Sequence, residues 1–167
     1  MKLKKKALLY DIANMAFTIA DCGDPANHSL HRVRDICQDG NIDRVARVLG
    51  LAYSNILSAL LPLLETPPKL DPNRDNSASP HDYYIYFRKR GNLRFLLTKE
   101  RELKIKETAH EFMVSKVMYD WLGIVLPMAA DVWKERMEHL LASLKEMAAE
   151  VAAGAETVSF GRRLNPF

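Results

Sequence analysis

The sequence predicts a mainly α-helical bundle with a small antiparallel β-hairpin or three-stranded meander inserted into it, an α+β arrangement being the alternative. Three observations carry this. Apolar residues recur at helical spacing in two long seams, one within residues 42–63 and one within 133–151. A third stretch, residues 3–21, is apolar around most of a helical circumference. Only over residues 83–107 does the apolar period fall from 3.6 to 2.

The first helix is predicted over residues 3–21. Its polar residues Asp11, Asn14, Thr18 and Asp21 draw one narrow stripe, and Leu8, Leu9, Ile12, Met15, Phe17 and Ile19 fill the rest. A helix apolar on most sides is expected at the centre of a fold or in a subunit interface. Asp24-Pro25 then reads as an N-cap with proline in the first turn, opening a short helix that carries Leu30, Val33, Ile36 and Cys37 and stops at Asp39-Gly40.

Asn41 is the expected cap of a third helix. Its residues Ile42, Val45, Leu49, Ala52, Ile56, Ala59 and Leu63 alternate spacings of 3 and 4, a heptad seam. Pro62 lacks the backbone donor that a further turn needs and ends or kinks this helix.

Residues 65–81 hold half of the prolines, among aspartates, asparagines and serines, and read as a linker that cannot bury enough apolar surface to order itself. Beyond it, Tyr83-Tyr84-Ile85-Tyr86-Phe87 is rich in strand-favouring residues. A turn at Arg90-Gly91-Asn92 and a second strand over 93–97 would complete a hairpin. Residues 102–107 alternate and are assigned to a third strand. The rival reading makes them the start of a helix, with Glu100 and Glu102 each four residues before a lysine. The strand is preferred because Thr108-Ala109-His110-Glu111 has the form of a capping box, which places the helix start at Thr108.

That helix carries Phe112, Met113, Val117, Trp121 and Ile124 until Gly123 and Pro127 interrupt it. A last helix over 128–153 bears the second seam, Trp133, Met137, Leu140, Leu144, Met147 and Val151, with Gly154 as its expected stop. The resulting organisation is a helical region over 1–64, the linker over 65–81, a meander with two helices packing back on the first region over 82–154, and an extended arm over 155–167.

The chain has 167 residues, 48% hydrophobic and 27% charged, with a net charge of +3. These values exclude a fibrous or wholly disordered protein. Cys22 and Cys37 are too few for a disulfide framework and fit a reducing compartment. The lysines at 2, 4, 5 and 6 followed by an apolar run imitate a signal peptide, but Asp11 and Asn14 interrupt the run. An acid at the centre of an inserting segment costs about 3 kcal/mol. A cytoplasmic location and no membrane span are expected.

No sequence signature of catalysis is present: no nucleophile elbow, no zincin helix, no glycine-rich phosphate loop. His31 and Asp35 are four residues apart without a nucleophile placed beside them, and His110 and Glu111 belong to a cap. Asp11 and Asp21 mark the one face of the first helix that meets polar groups or water. Cys22, His28, His31 and Cys37 are four ligand-type residues, but their spacing lacks the paired knuckles of structural zinc sites. No catalytic residue, metal ligand or cofactor is assigned.

Two features point to binding. Between Asp82 and Lys106 eight basic residues face three acids. On strands, Tyr84, Tyr86, Arg88, Arg94, Lys104 and Lys106 would share one face, and rings among cations suit nucleic acid or an acidic partner. The second feature is surplus apolar surface: two seams, the greasy first helix, and an arm ending in Phe160, Arg162, Arg163 and Phe167 as assembly contacts.

The stretches Leu8-Leu9-Tyr10-Asp11-Ile12-Ala13-Asn14 and Asp39-Gly40-Asn41-Ile42-Asp43-Arg44-Val45 resemble small uncharacterised proteins of phage-like gene clusters in gut bacteria. The resemblance covers the first third of the chain and transfers no site residue. It implies a particle component such as a head–tail or neck protein, helical, packed in rings and carrying extended arms. The function expected is therefore a non-catalytic helical interaction or assembly protein that self-associates or docks on a protein partner. A nucleic-acid-binding module using residues 83–106 is the alternative.

Overall fold

A computed structural model describes residues 1–23, 29–65, 82–88 and 93–163, the side chains of 94, 95 and 155–163 excepted. The chain is mainly α-helical, with one small antiparallel pairing of strands among the described residues. The elements run β1 (Lys2–Leu3), α1 (Lys5–Cys22), α2 (Ser29–Arg34), α3 (Ile42–Ala59), β2 (Tyr83–Tyr84), α4 (Leu93–Leu96), α5 (Lys99–Val125) and α6 (Ala130–Arg163), with single 3₁₀ turns at Asp35–Cys37, Leu61–Leu63 and Pro127–Ala129. Residues 66–81 of the expected 65–81 linker, the Arg90-Gly91-Asn92 turn and the Asp24-Pro25 cap lie outside the described residues.

The seam of α3 packs as its spacing predicts. Val45, Leu49, Ala52, Ile56, Ala59 and Leu63 are all buried, and Ile42 at the helix start is half-buried. Asn41 occupies the N-cap position, but its amide donates to the Asp35 carbonyl at 2.8 Å instead of capping the helix. Pro62 sits in the 3₁₀ turn that follows, where its missing donor leaves no helical bond unmade.

The centre of the fold is α5, not α1. From Phe112 to Met118 every residue except Lys116 is buried. Polar pairs tie α5 to α1, α3 and α6. His110 Nε2 lies 2.7 Å from Asp11 Oδ2 of α1. Both Nε and Nη2 of Arg44, on α3, donate to Asp120 Oδ2 at 2.8 and 2.7 Å. Arg136 of α6 donates to Glu111. Of the two places expected for α1, the centre of the fold is not the one it takes within this chain. Its buried stripe is Leu8, Ile12, Ala16 and Ala20, one residue per turn, while Tyr10 is 71% and Phe17 54% exposed. Small alanines at two of those four positions let α1 lie close along a single face. Its polar stripe finds partners: Asp11 takes His110, and Asp21 takes Arg34 at 3.2 Å.

The strands differ from the expected meander. Residues 83–88 form an extended segment with pairing on both edges. On one side Lys2 faces Tyr84 and Leu3 faces Tyr83, antiparallel, and the Ile85 N–H donates to the Met1 carbonyl at 2.9 Å. On the other side Arg88 N–H donates to Leu63 O at 2.7 Å and Glu65 N–H to Tyr86 O at 3.2 Å. The predicted second strand, 93–97, is instead the short helix α4, and the third, 102–107, is the first part of α5. Thr98 is the cap that wins: its hydroxyl accepts from the Arg101 N–H at 3.3 Å. Thr108, mid-helix, turns its hydroxyl back onto the Lys104 carbonyl at 2.9 Å.

The last helix also outruns its expected stop. Helix α6 continues through Gly154 to Arg163, so the extended arm expected from residue 155 is helical there. Ala148, Ala149, Ala152, Ala153 and Ala155 supply enough helix propensity to carry one glycine. The side chains of Phe160, Arg162 and Arg163, and all of Phe167, lie outside the described residues. Of the second seam, Leu144 and Val151 are buried, while Trp133, Met137, Leu140 and Met147 are half-buried against α5 and the core. No helix among the described residues is long and apolar enough to cross a membrane.

Candidate functional site

The surface that gathers the most chemistry is built by the two chain segments that meet at β1 and β2 and by the first turns of α5. Side chains alternate along an extended segment. Tyr83, Ile85 and Phe87 point inward and are buried; Tyr84, Tyr86 and Arg88 point outward and are exposed. The Tyr84 and Tyr86 rings lie nearly parallel, 12° apart in plane with centroids 6.3 Å apart. Tyr53, on α3, braces the strand from below: its hydroxyl donates to the Tyr84 carbonyl at 2.5 Å, and its ring meets Tyr83 at 5.0 Å. Tyr53, Asp82, Tyr83, Tyr84 and Tyr86 line a hollow of about 250 Å³.

Asp82 anchors this corner. Its Oδ1 accepts the Lys5 N–H at 2.9 Å, and its Oδ2 meets Lys2 Nζ at 2.6 Å. The Lys2 bond, then the Lys5 N–H, holds the Asp82 carboxyl below its ordinary value. In return Asp82, and after it Tyr84, raises the Lys2 ammonium above its own. Lys2 also lies 5.4 Å from the centroid of the Tyr84 ring, a cation over a π face.

Beside the tyrosines a second hollow of about 350 Å³ brings Lys2 and Lys4 from the N-terminal segment against Lys99 and Lys106 from α5, over a floor that includes Leu103. Glu102 also borders it, and there the N-terminal ammonium stands 3.6 Å from the Glu102 carboxylate. The same ammonium donates to the Ile85 carbonyl at 2.6 Å. Behind it, Ile85, Phe87, Leu93 and Leu97 form the apolar part of a cleft of about 840 Å³ with Glu65, Arg88 and Glu102 at its rim.

Tyr84, Tyr86, Arg88 and Lys106, expected together on a sheet, are all on this part of the surface. Arg88 also donates from Nε to the Leu64 carbonyl at 3.3 Å. Lys104 is not beside Lys106. On a helix, residues two apart stand about 200° apart, so the two leave α5 on opposite sides of the buried Ile105. The side chain of Arg94 lies outside the described residues. Lys2 and Lys4 stand outside the predicted basic stretch, and Lys99, one of its eight basic residues, is not placed on the predicted face. The first two were read as the basic head of a targeting segment; only the pairing of β1 with β2, across some eighty residues, brings them here.

The other candidate groups do not converge. Asp35 accepts from Gln38 Nε2 at 2.6 Å, and His31 is exposed. Cys37 is half-buried; its thiol donates to the Leu9 carbonyl at 3.7 Å, and burial pushes its pKa up. Cys22 is exposed at the end of α1. His28 lies outside the described residues, and among those described no three ligand-type residues gather as a metal would need.

A second kind of surface lies at the far end of the molecule. Where α5 turns into α6, Ile124, Met128 and Val132 are exposed, Met128 at 93% and Val132 at 69%. Comparison with protein families, with curated proteins and with solved structures gives no match.

Proposed function

We propose that this chain is a non-catalytic assembly protein that joins further copies of itself or a protein partner through the apolar end of the α5–α6 hairpin. The observation that carries this reading is the grouping of Ile124, Met128 and Val132 at that tip. Single exposed apolar residues are ordinary; three within nine positions at one turn are a contact surface in waiting. Pro127 supports the same reading, because it fixes the turn that presents Met128. Tyr10 and Phe17, seven residues apart and so on one side of α1, add a second exposed aromatic face. Arg34 covers the Phe17 ring at 5.0 Å, which leaves the tip as the more open of the two. The phage-like resemblance of the first third fits a ring-forming particle component, since rings need a surface of this kind on each copy.

Static light scattering over a wide concentration range tests the reading. A mass that rises above that of one chain supports it. A single-chain mass at the highest concentration, together with no protein partner retained from a host lysate by the wild type and lost by Met128→Asp, overturns it.

A further inference from the structure

We infer that the face formed by β1, β2 and the first turns of α5 binds single-stranded nucleic acid, with Tyr84 and Tyr86 stacking bases and Lys2, Lys4, Lys99 and Lys106 neutralising phosphates. This is a separate activity from the assembly reading and stands on different residues. Four lysines from two distant segments share one hollow of about 350 Å³ that Glu102 also lines, and of the four Lys2 is paired with Asp82. Among the described residues neither Lys99 nor Lys106 forms an ion pair, and both side chains are exposed. The two tyrosine rings, nearly parallel and 6.3 Å apart, adjoin that hollow through Lys2. Tyr86, 67% exposed, is the outer step of the platform and Tyr84 the inner.

Each component alone has an ordinary explanation. Together they supply both things a single strand requires, a polar track for the backbone and flat π faces for unpaired bases. An acidic peptide has no use for the parallel rings, and a duplex hides the base faces they would contact. The hollow lined by Tyr53, Asp82, Tyr83, Tyr84 and Tyr86 adds a carboxylate next to the rings, able to accept from an exocyclic base amine.

The test is fluorescence anisotropy of a labelled oligothymidylate with the full-length protein, at low salt and over a salt series. The same strand as a duplex, polyglutamate and anionic phosphatidylserine vesicles serve as competitors. Binding should weaken with salt with a log–log slope of about −2 to −3, near 0.7 per neutralised phosphate. Lys99→Ala with Lys106→Ala should make that slope shallower by about 1.4. Tyr84→Ala or Tyr86→Ala should weaken binding roughly tenfold, the size of one lost base stack, while Tyr86→Phe, which keeps the ring, retains it. Lys104→Ala, across Ile105, should change binding less than Lys106→Ala. Circular-dichroism melts show that each variant is folded. No binding at low salt overturns the proposal. So does binding that polyglutamate, vesicles or duplex compete for as well as the single strand does, or that folded Tyr84→Ala and Tyr86→Ala leave unchanged.

Discussion

Asp82 caps the first helix of the protein from 77 residues away: its Oδ1 accepts the Lys5 N–H at 2.9 Å. The residue at the N-cap position itself, Lys4, offers no side-chain acceptor. The chain thus completes α1 only when residues 82–88 arrive, and the start of the helix and that extended segment should form together. Asp82→Ala should lower the melting temperature and loosen both. Asp82→Asn, which keeps an acceptor and loses the charge, should lower it less. Amide exchange at Lys5 and Ile85 reads the coupling; loss of protection at Lys5 alone would contradict it.

The ion pair of Asp82 with Lys2, on its other oxygen, sets a pH dependence. The folded pKa of Asp82 is lowered, so its contribution is present above the unfolded carboxylate value and fades as pH falls through the lower folded one, that is, below about pH 4. Lys2 is raised, so its contribution is present below the unfolded lysine value and is lost as pH climbs above about 10. Between those limits the pair should give a flat profile. Comparing melting curves of wild type and Asp82→Asn from acid to neutral pH checks this: the two should approach each other only at the acid end.

Burial distinguishes the faces of α1. Ile12 is fully buried and Phe17 about half exposed. Ile12→Ala should cost about 2–5 kcal/mol. Phe17→Ala should cost less than about 1 kcal/mol, losing mainly the Arg34 contact. Urea unfolding of the two variants compares them, and equal losses would return α1 to the central place that its composition suggests.

Ser115 is fully buried at the middle of α5, and its hydroxyl has no hydrogen-bond partner among the described residues. A buried hydroxyl without a partner is a net cost of about 1–3 kcal/mol. Ser115→Ala should therefore leave stability unchanged or raise it by about 1 kcal/mol, measured by chemical denaturation. A clear loss would mean that the hydroxyl is engaged.

Gly154 tests the course of α6. An alanine Cβ there would stand 3.4 Å from Leu96 Cδ1, an ordinary contact, on helical backbone. Gly154→Ala should stabilise by about 0.5–1 kcal/mol. A left-handed stop, as the sequence suggests, would make the same change destabilising.

The elements readable in the sequence are those whose burial is set by local pattern. The α3 seam and the alternating faces of Tyr83 to Arg88 follow from period alone. What the sequence hides is set by distant partners or by competing local signals. Residues 102–107 alternate, yet Ile105 is the one member of that stretch that is fully buried, because Thr98 starts a helix that Thr108 was expected to start. The basic hollow was half visible. Lys106 and the tyrosines lie in the charged stretch, but Lys2 and Lys4 reach it only through a strand pairing that no local pattern announces.

Sedimentation velocity of the wild type beside Met128→Asp with Val132→Asp, at matched high concentration, tests the assembly account most directly, because both substitutions fall on exposed positions that the fold does not need. The account expects the wild type to sediment faster than a single chain and the double variant to sediment as one, with unchanged melting temperature. Wild type and variant sedimenting alike as the same oligomer, or as single chains with no lysate partner lost on Met128→Asp, would contradict it.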